Sequence, residues 1–248
     1  MNDNQQCSSN IELFFDDFLS CINGRRVDDT LSEEVDFSNA DYRIDGANCL
    51  IELKTLVNNP SDDGSFIRKL SKLNKSAFEK SLNQDNKTEK IADDIFNHFL
   101  ESIEDATYPR IKKIITKANK QIRETKINLE LTSYFGIVWI VNESNILLDP
   151  EVLKNQVIKA LGTTSLSSVQ AVIISNVNLL VGIKDKELSH LYWIPIFRAE
   201  PDECVWQIVH VIGQAWETFI RKHFEVPIEY KSRSDINIEN LYNIVRKI

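Results

Sequence analysis

The segment 49–57, CLIELKTLV, constrains this chain more than any other. It is apolar on both alternating faces except at Glu52 and Lys54, the pattern of a covered, central β-strand. Just before it stands ADYRID (40–45), in which Ala40, Tyr42 and Ile44 alternate with polar residues, followed by the turn-forming run Asp45-Gly46-Ala47-Asn48. An antiparallel hairpin with its tip at 45–48 sets Ile44 against Cys49, Arg43 against Leu50, Tyr42 against Ile51 and Asp41 against Glu52. Directly opposed residues share a face, and alternation brings Lys54 to the face of Glu52. Asp41, Glu52 and Lys54 are therefore expected to converge on one patch.

Two opposed carboxylates repel, and in a covered strand each uncompensated ion costs on the order of several kcal/mol. Folding alone does not call for that arrangement. A divalent cation resolves it, and oxygen ligands of this kind suit Mg2+, with Mn2+ as a substitute. A lysine beside such an ion lowers the cost of forming hydroxide from water and steadies charge on a phosphate in transfer.

The run ADYRIDGANCLIELKTL resembles the active-site hairpin of the PD-(D/E)xK nuclease superfamily, whose fold is restriction-endonuclease-like. Asp41 matches the first aspartate of that motif and Glu52-Leu53-Lys54 its E-x-K; Ala40 stands where the motif often has proline. The resemblance implies catalytic roles for Asp41, Glu52 and Lys54. It implies Mg2+ held by Asp41, Glu52 and the Leu53 carbonyl, and an auxiliary residue on the following helix, for which Gln121 is the candidate. It implies a nuclease, an endonuclease cutting DNA by the family's habit, and is compatible with a homodimer or a partner subunit. Many members add an acid on or after the first helix; Glu12, Asp16, Asp17, Glu33 and Glu34 are available, and none is singled out. The competing class is a nuclease-fold module without turnover, a nucleic-acid-binding or regulatory subunit of a larger complex.

Two further E-x-K triplets serve as an internal control. Glu124-Thr125-Lys126 falls in a helical stretch, where residues two apart do not share a face. Glu229-Tyr230-Lys231 follows a helix and Pro227, with no acid-bearing hairpin partner.

The remaining pattern is mixed α/β. Helices are expected at 11–22, ended by Asn23-Gly24, and near 65–83, 88–104 and 110–128, with Pro109 opening the last. Further helices are expected from Asp149-Pro150 to about Leu161 and at 204–222, and a short one in the polar tail. Strands are expected at 133–142, 169–176 and 190–197, the last at a sheet edge because of Pro195. The chain reads as one domain, with 58–109 a helical insertion and 143–248 a C-terminal extension of the sheet and helices. Trp139, Trp193, Trp206 and Trp216 are expected in the core.

A net charge of -8 disfavours non-specific nucleic-acid binding, but the charge is uneven. Residues 1–63 hold 4 basic and 14 acidic groups (-10), 64–90 hold 7 and 3 (+4), and 110–126 hold 7 and 1 (+6). The basic stretches read either as solvated helix faces or as a phosphate-tracking surface. The longest apolar run, Phe135–Val141, is far short of a bilayer span. The N-terminus lacks a basic-then-apolar signal pattern, so no membrane partner and a cytoplasmic location are expected. Scattered cysteines and histidines suggest no zinc site. Without G-x-x-x-x-G-K, G-x-G-x-x-G or G-x-S-x-G, Walker-type, dinucleotide-binding and serine-hydrolase chemistries lack support.

Overall fold

The computed structural model describes residues 3–31, 35–56, 88–143, 148, 150–163, 166–177, 179–181, 192–199, 201–224 and 244–246. Helix α1 (Asp3–Cys21) ends where the Asn-Gly pair predicts, although the asparagine makes the turn. Asn23 adopts a left-handed φ of 57°. The N–H groups of Asn23 and Gly24 bond back to the carbonyls of Ser20 and Leu19 at 3.2 and 2.8 Å, satisfying the last turn of the helix.

Strand β1 (Arg25–Arg26), a 3-10 turn at Asp28–Thr30, β2 (Tyr42–Ile44) and β3 (Cys49–Leu56) follow. β2 and β3 pair antiparallel with Tyr42 opposite Ile51, Arg43 opposite Leu50 and Ile44 opposite Cys49, the register expected from the turn. A 3-10 turn at Asp45–Ala47 forms the tip. Asn48 closes it with a left-handed φ of 47°, and its N–H bonds to the Asp45 carbonyl at 3.1 Å.

Helix α2 (Thr88–Asn128), β4 (Phe135–Asn142), α3 (Pro150–Thr163), β5 (Ala171–Ser175), β6 (Leu179–Val181), β7 (Trp193–Phe197), α4 (Glu203–Phe224) and β8 (Ile244–Arg246) complete the order. Six strands form one mixed sheet in the order β1-β2-β3-β4-β5-β7. β3, β4 and β5 run parallel at its centre, and antiparallel neighbours flank them on both sides. Pro195 lies in the edge strand β7, which its missing N–H favours. The architecture is mixed α/β, a sheet flanked by helices.

The alternation of β3 sorts its side chains between two cores. Cys49, Ile51 and Leu53 pack with Phe15 and Phe18 of α1 and Val209 and Trp216 of α4. Leu50 and Leu56 pack on the other face with Ile115 and Ile122 of α2 and Leu153 and Val157 of α3. Glu52 and Lys54 share the parity of Leu50 and Leu56, so they face the α2 layer. Trp139 centres the first core, with the rings of Trp193, Phe15 and Trp216 at 4.8, 4.9 and 5.0 Å. Its indole N–H donates to the Ser175 hydroxyl at 2.8 Å.

Three expectations are corrected. The helices expected at 88–104 and 110–128 are one helix that runs through Pro109. Proline removes one intrahelical bond, yet it lies on the exposed side. Ile103, Thr107, Ile111 and Ile115, four apart and all buried, hold the opposite side to the protein without a break. The part of the expected insertion at 88–109 is thus continuous with the helix that covers the sheet, while 57–87, including the helix expected at 65–83, lies outside the described residues.

Trp206 is 47% exposed rather than in the core. The buried stripe of α4 is Val205, Val209, Ile212, Trp216 and Ile220, and Trp206 falls one position off it, stacked on His210. The tail segment Ile244–Arg246 is a strand, pairing antiparallel with Leu179–Val181, in place of the short helix expected near the C-terminus. β-branched Ile244 and Val245 suit that conformation. No helix among the described residues is long and apolar enough to cross a membrane.

Candidate active site

Strand β3, the residue that follows β1, and helix α2 fix the position of Asp41. Its carbonyl accepts the Val27 N–H at 3.0 Å, beside β1. Its Oδ2 accepts the Leu53 N–H of β3 at 2.7 Å, which sets the carboxylate beside Glu52 just past the end of the β2–β3 ladder. The residues leading to it are held by α2. Glu124 Oε2 accepts the Ser38 N–H at 3.2 Å, Gln121 Nε2 donates to the Asn39 carbonyl at 3.2 Å, and Thr125 Oγ1 accepts the Ala40 N–H at 2.7 Å. Thr125 in turn donates to the Gln121 carbonyl at 2.9 Å.

Glu52 is fully buried in the middle of β3, with Val138 of β4 as its ladder partner. Its Oε1 takes an ion pair from Lys54 Nζ. Its Oε2 is buried and has no hydrogen-bond partner among the described residues. Burial raises the Glu52 carboxyl most, and the neighbouring charge of Asp41 raises it further. The Lys54 ammonium and the Asp41 backbone N–H pull the other way, and the balance sits at about 7 against an ordinary 4.5. Burial also raises the Asp41 carboxyl, opposed by the Lys54 charge and the Leu53 N–H. Both acids resist ionisation as the site stands.

The hairpin therefore brings Asp41, Glu52 and Lys54 together. Leu53 contributes its backbone. In a strand, a residue's N–H and C=O point to the same edge. Since the Leu53 N–H is directed at Asp41, its carbonyl faces that edge too, beyond the last β2 pair. Gln121 touches the Asn39 carbonyl, two residues before Asp41, and its own buried Oε1 has no hydrogen-bond partner among the described residues. The donor set fits a hard divalent cation. An unpartnered buried carboxylate oxygen, a second carboxylate beside it and a carbonyl at the same edge are oxygen ligands with charge to neutralise. Among the described residues no third histidine, cysteine or acid joins them as a ready cluster.

Of the acids available on α1, Asp16 is committed elsewhere. It takes both Arg26 Nε and Nη2 at 2.7 and 2.8 Å and accepts the Tyr42 hydroxyl at 3.0 Å. Glu12 lies 3.8 Å from Arg26, and its charge acts on Asp41. Glu33 and Glu34 lie outside the described residues. Sequence reasoning missed Thr125 and Glu124 as anchors of the 38–40 segment. The available signal was Thr125, a polar residue falling on the apolar stripe Ile115, Ala118, Ile122 of α2.

Comparison of the chain with protein-family models, with curated proteins and with solved structures gives no match.

Proposed function

We propose that the protein is a Mg2+-dependent nuclease of the PD-(D/E)xK, restriction-endonuclease-like class, hydrolysing phosphodiester bonds in DNA. The single observation that carries this reading is Glu52 Oε2, a wholly buried carboxylate oxygen without a partner among the described residues, next to Asp41 and within reach of Lys54. The order α1-β1-β2-β3-α2-β4, with β3 and β4 parallel, supports the same class. So do the exposed Lys113, Lys117 and Lys120 of α2, in a stretch suited to a phosphate backbone.

On this reading Asp41, Glu52 and the Leu53 carbonyl hold the cation, which would supply Lewis acidity at a phosphate oxygen and favour hydroxide over water. The protein's own part is positional. The Leu53 N–H and the α2 anchors fix Asp41. The strand fixes Glu52. Lys54, paired with Glu52 while that acid lacks another counter-charge, is free once Glu52 is otherwise neutralised. Its ammonium then orients water and steadies charge on the phosphate.

A second reading is favoured by the Lys54–Glu52 ion pair itself, which gives each group a partner without substrate. It describes a nuclease-fold module that binds or regulates without turnover. Incubation of the pure protein with plasmid and short duplexes in Mg2+, Mn2+ or chelator separates the two. Divalent-dependent cutting that disappears in Lys54→Ala and Glu52→Gln, with binding retained, supports the nuclease. Binding without cutting of any nucleic acid supports the module.

A further inference from the structure

Between the last turns of α2 and the start of β4 lies a cleft of about 380 Å³. Arg123 and Lys126 line it with Thr132, Ser133, Ser167 and Ser168, and no carboxylate lines it among the described residues. Lys126 is half-buried, and burial pulls its ammonium below the ordinary range. Its described hydrogen bond is a long one, 3.4 Å to the Ser168 carbonyl. Arg26, Arg43 and Lys54, by contrast, each rest on an acid.

Most of the acids around it are already committed to cations. Tyr134, at the rim, donates its hydroxyl to Asp45 Oδ1 at 2.8 Å, and Asp45 is already shared by Arg25 and Arg43. Of the nearby acids, Glu124 is taken by Lys120 and the Ser38 N–H, and Glu130 is exposed on the turn after α2. A concave site with two cations, several hydroxyl donors and no acid among its described lining residues is built for a compact anion that accepts hydrogen bonds on several sides.

We propose that this cleft is a phosphate-binding site, with Lys126 and Arg123 supplying the charge and Thr132, Ser133 and Ser167 the hydroxyl donors. It is separate from the carboxylate site. Phe135, in its wall, is the ladder partner of Cys49, three residues before Glu52, so the cleft lies roughly 10 Å along the strands from that site. The oxyanion could come from a nucleic-acid strand or from a free phosphate or small phosphate ester.

The test uses the whole protein in chelator, so that no divalent-dependent chemistry enters. Inorganic phosphate is titrated by calorimetry, and a fluorescent 12-nucleotide single strand by anisotropy at several salt concentrations. Wild type is compared with Lys126→Gln, Arg123→Gln, the double variant, and Lys222→Gln, an exposed lysine of α4, as a control. Inorganic phosphate binding that weakens tenfold or more in Lys126→Gln, and not in Lys222→Gln, supports the site with a free ligand. For a strand phosphate, the double variant lowers the slope of log K against log salt by about 1.4, two contacts at about 0.7 each, and the control by half that or less. Arg123→Gln, on an exposed side chain, keeps the test valid if loss of Lys126 disturbs folding. No binding of either probe by wild type, or equal losses in the cleft variants and Lys222→Gln, overturns the proposal. Neither result depends on whether the carboxylate site cuts DNA.

Discussion

Lys54 reaches back along β3 to close an ion pair on Glu52, two residues away on the same face, and satisfies only one of that acid's two oxygens. The other is sealed in the sheet. A carboxylate half-answered in this way holds its proton more tightly in the folded chain than in the unfolded one, and that difference is measurable.

The Glu52 carboxyl sits at about 7 folded against 4.5 unfolded. Its folded value is the higher, so its contribution to stability is complete below about 4.5 and is lost as pH rises through about 7. Without divalent ions, the wild-type protein is expected to lose about 3 kcal/mol relative to Glu52→Gln between pH 4.5 and 8. Asp41, raised in the same direction, lowers the stability of both proteins as pH rises and so drops out of the difference. Urea denaturation of both proteins across this range reads the difference. A wild type that gains on the variant with rising pH contradicts the burial argument.

Divalent cations should reverse that loss. At a hundred times its dissociation constant, Mg2+ bound only by the folded state adds about 2.7 kcal/mol. Asp41→Asn is expected to lose most of this gain at the same concentration, and Mn2+ to act as Mg2+ does. Equal stabilisation of wild type and variant would place the ion elsewhere.

Thr125 is expected to matter as an anchor. Thr125→Val keeps the shape but leaves the buried Ala40 N–H unpaired, at a cost of about 1–3 kcal/mol. Thr125→Ser should recover most of it. Hydrogen exchange of the Ala40 amide gives a local reading: protection falls in the valine variant and returns in the serine one. Unchanged protection in Thr125→Val would show that the bond does not hold the segment.

Gly136 permits the closest backbone approach at the base of β4. A Cβ there would stand 2.0 Å from the Ser168 carbonyl oxygen and 2.7 Å from a methyl of Ile122. Its N–H and carbonyl are also bonded to Gln170, at 2.6 and 2.8 Å. Gly136→Ala is expected to cost about 1–3 kcal/mol, since the obstructing atom is backbone and cannot swing aside. Thermal unfolding checks it, and a variant as stable as wild type would refute the contact.

The hairpin was legible because two local signals agreed: a turn of four residues fixed the pairing, and an apolar strand interrupted at Glu52 and Lys54 fixed the face. The supports of Asp41 were not legible. They join residues some 85 positions apart, Ser38 to Glu124 and Ala40 to Thr125, and no local pattern encodes which helix will lie across a strand. Pro109 misled for a related reason. Its effect on the backbone is local, whereas the stripe that overrides it, from Ile103 to Ile115, is decided by packing. Trp206 shows the same limit, one helical position away from burial.

The continuity of α2 has a mechanical consequence. Forty-one residues make a shaft roughly 60 Å long, and near its far end it grips the three residues that lead into Asp41. Between its start and that grip, buried Ile103, Thr107, Ile111 and Ile115 clamp the rod to the protein, so the grip acts from an anchored part of the helix. The spacing between the two acids is thereby set by the same rod that covers one face of the sheet.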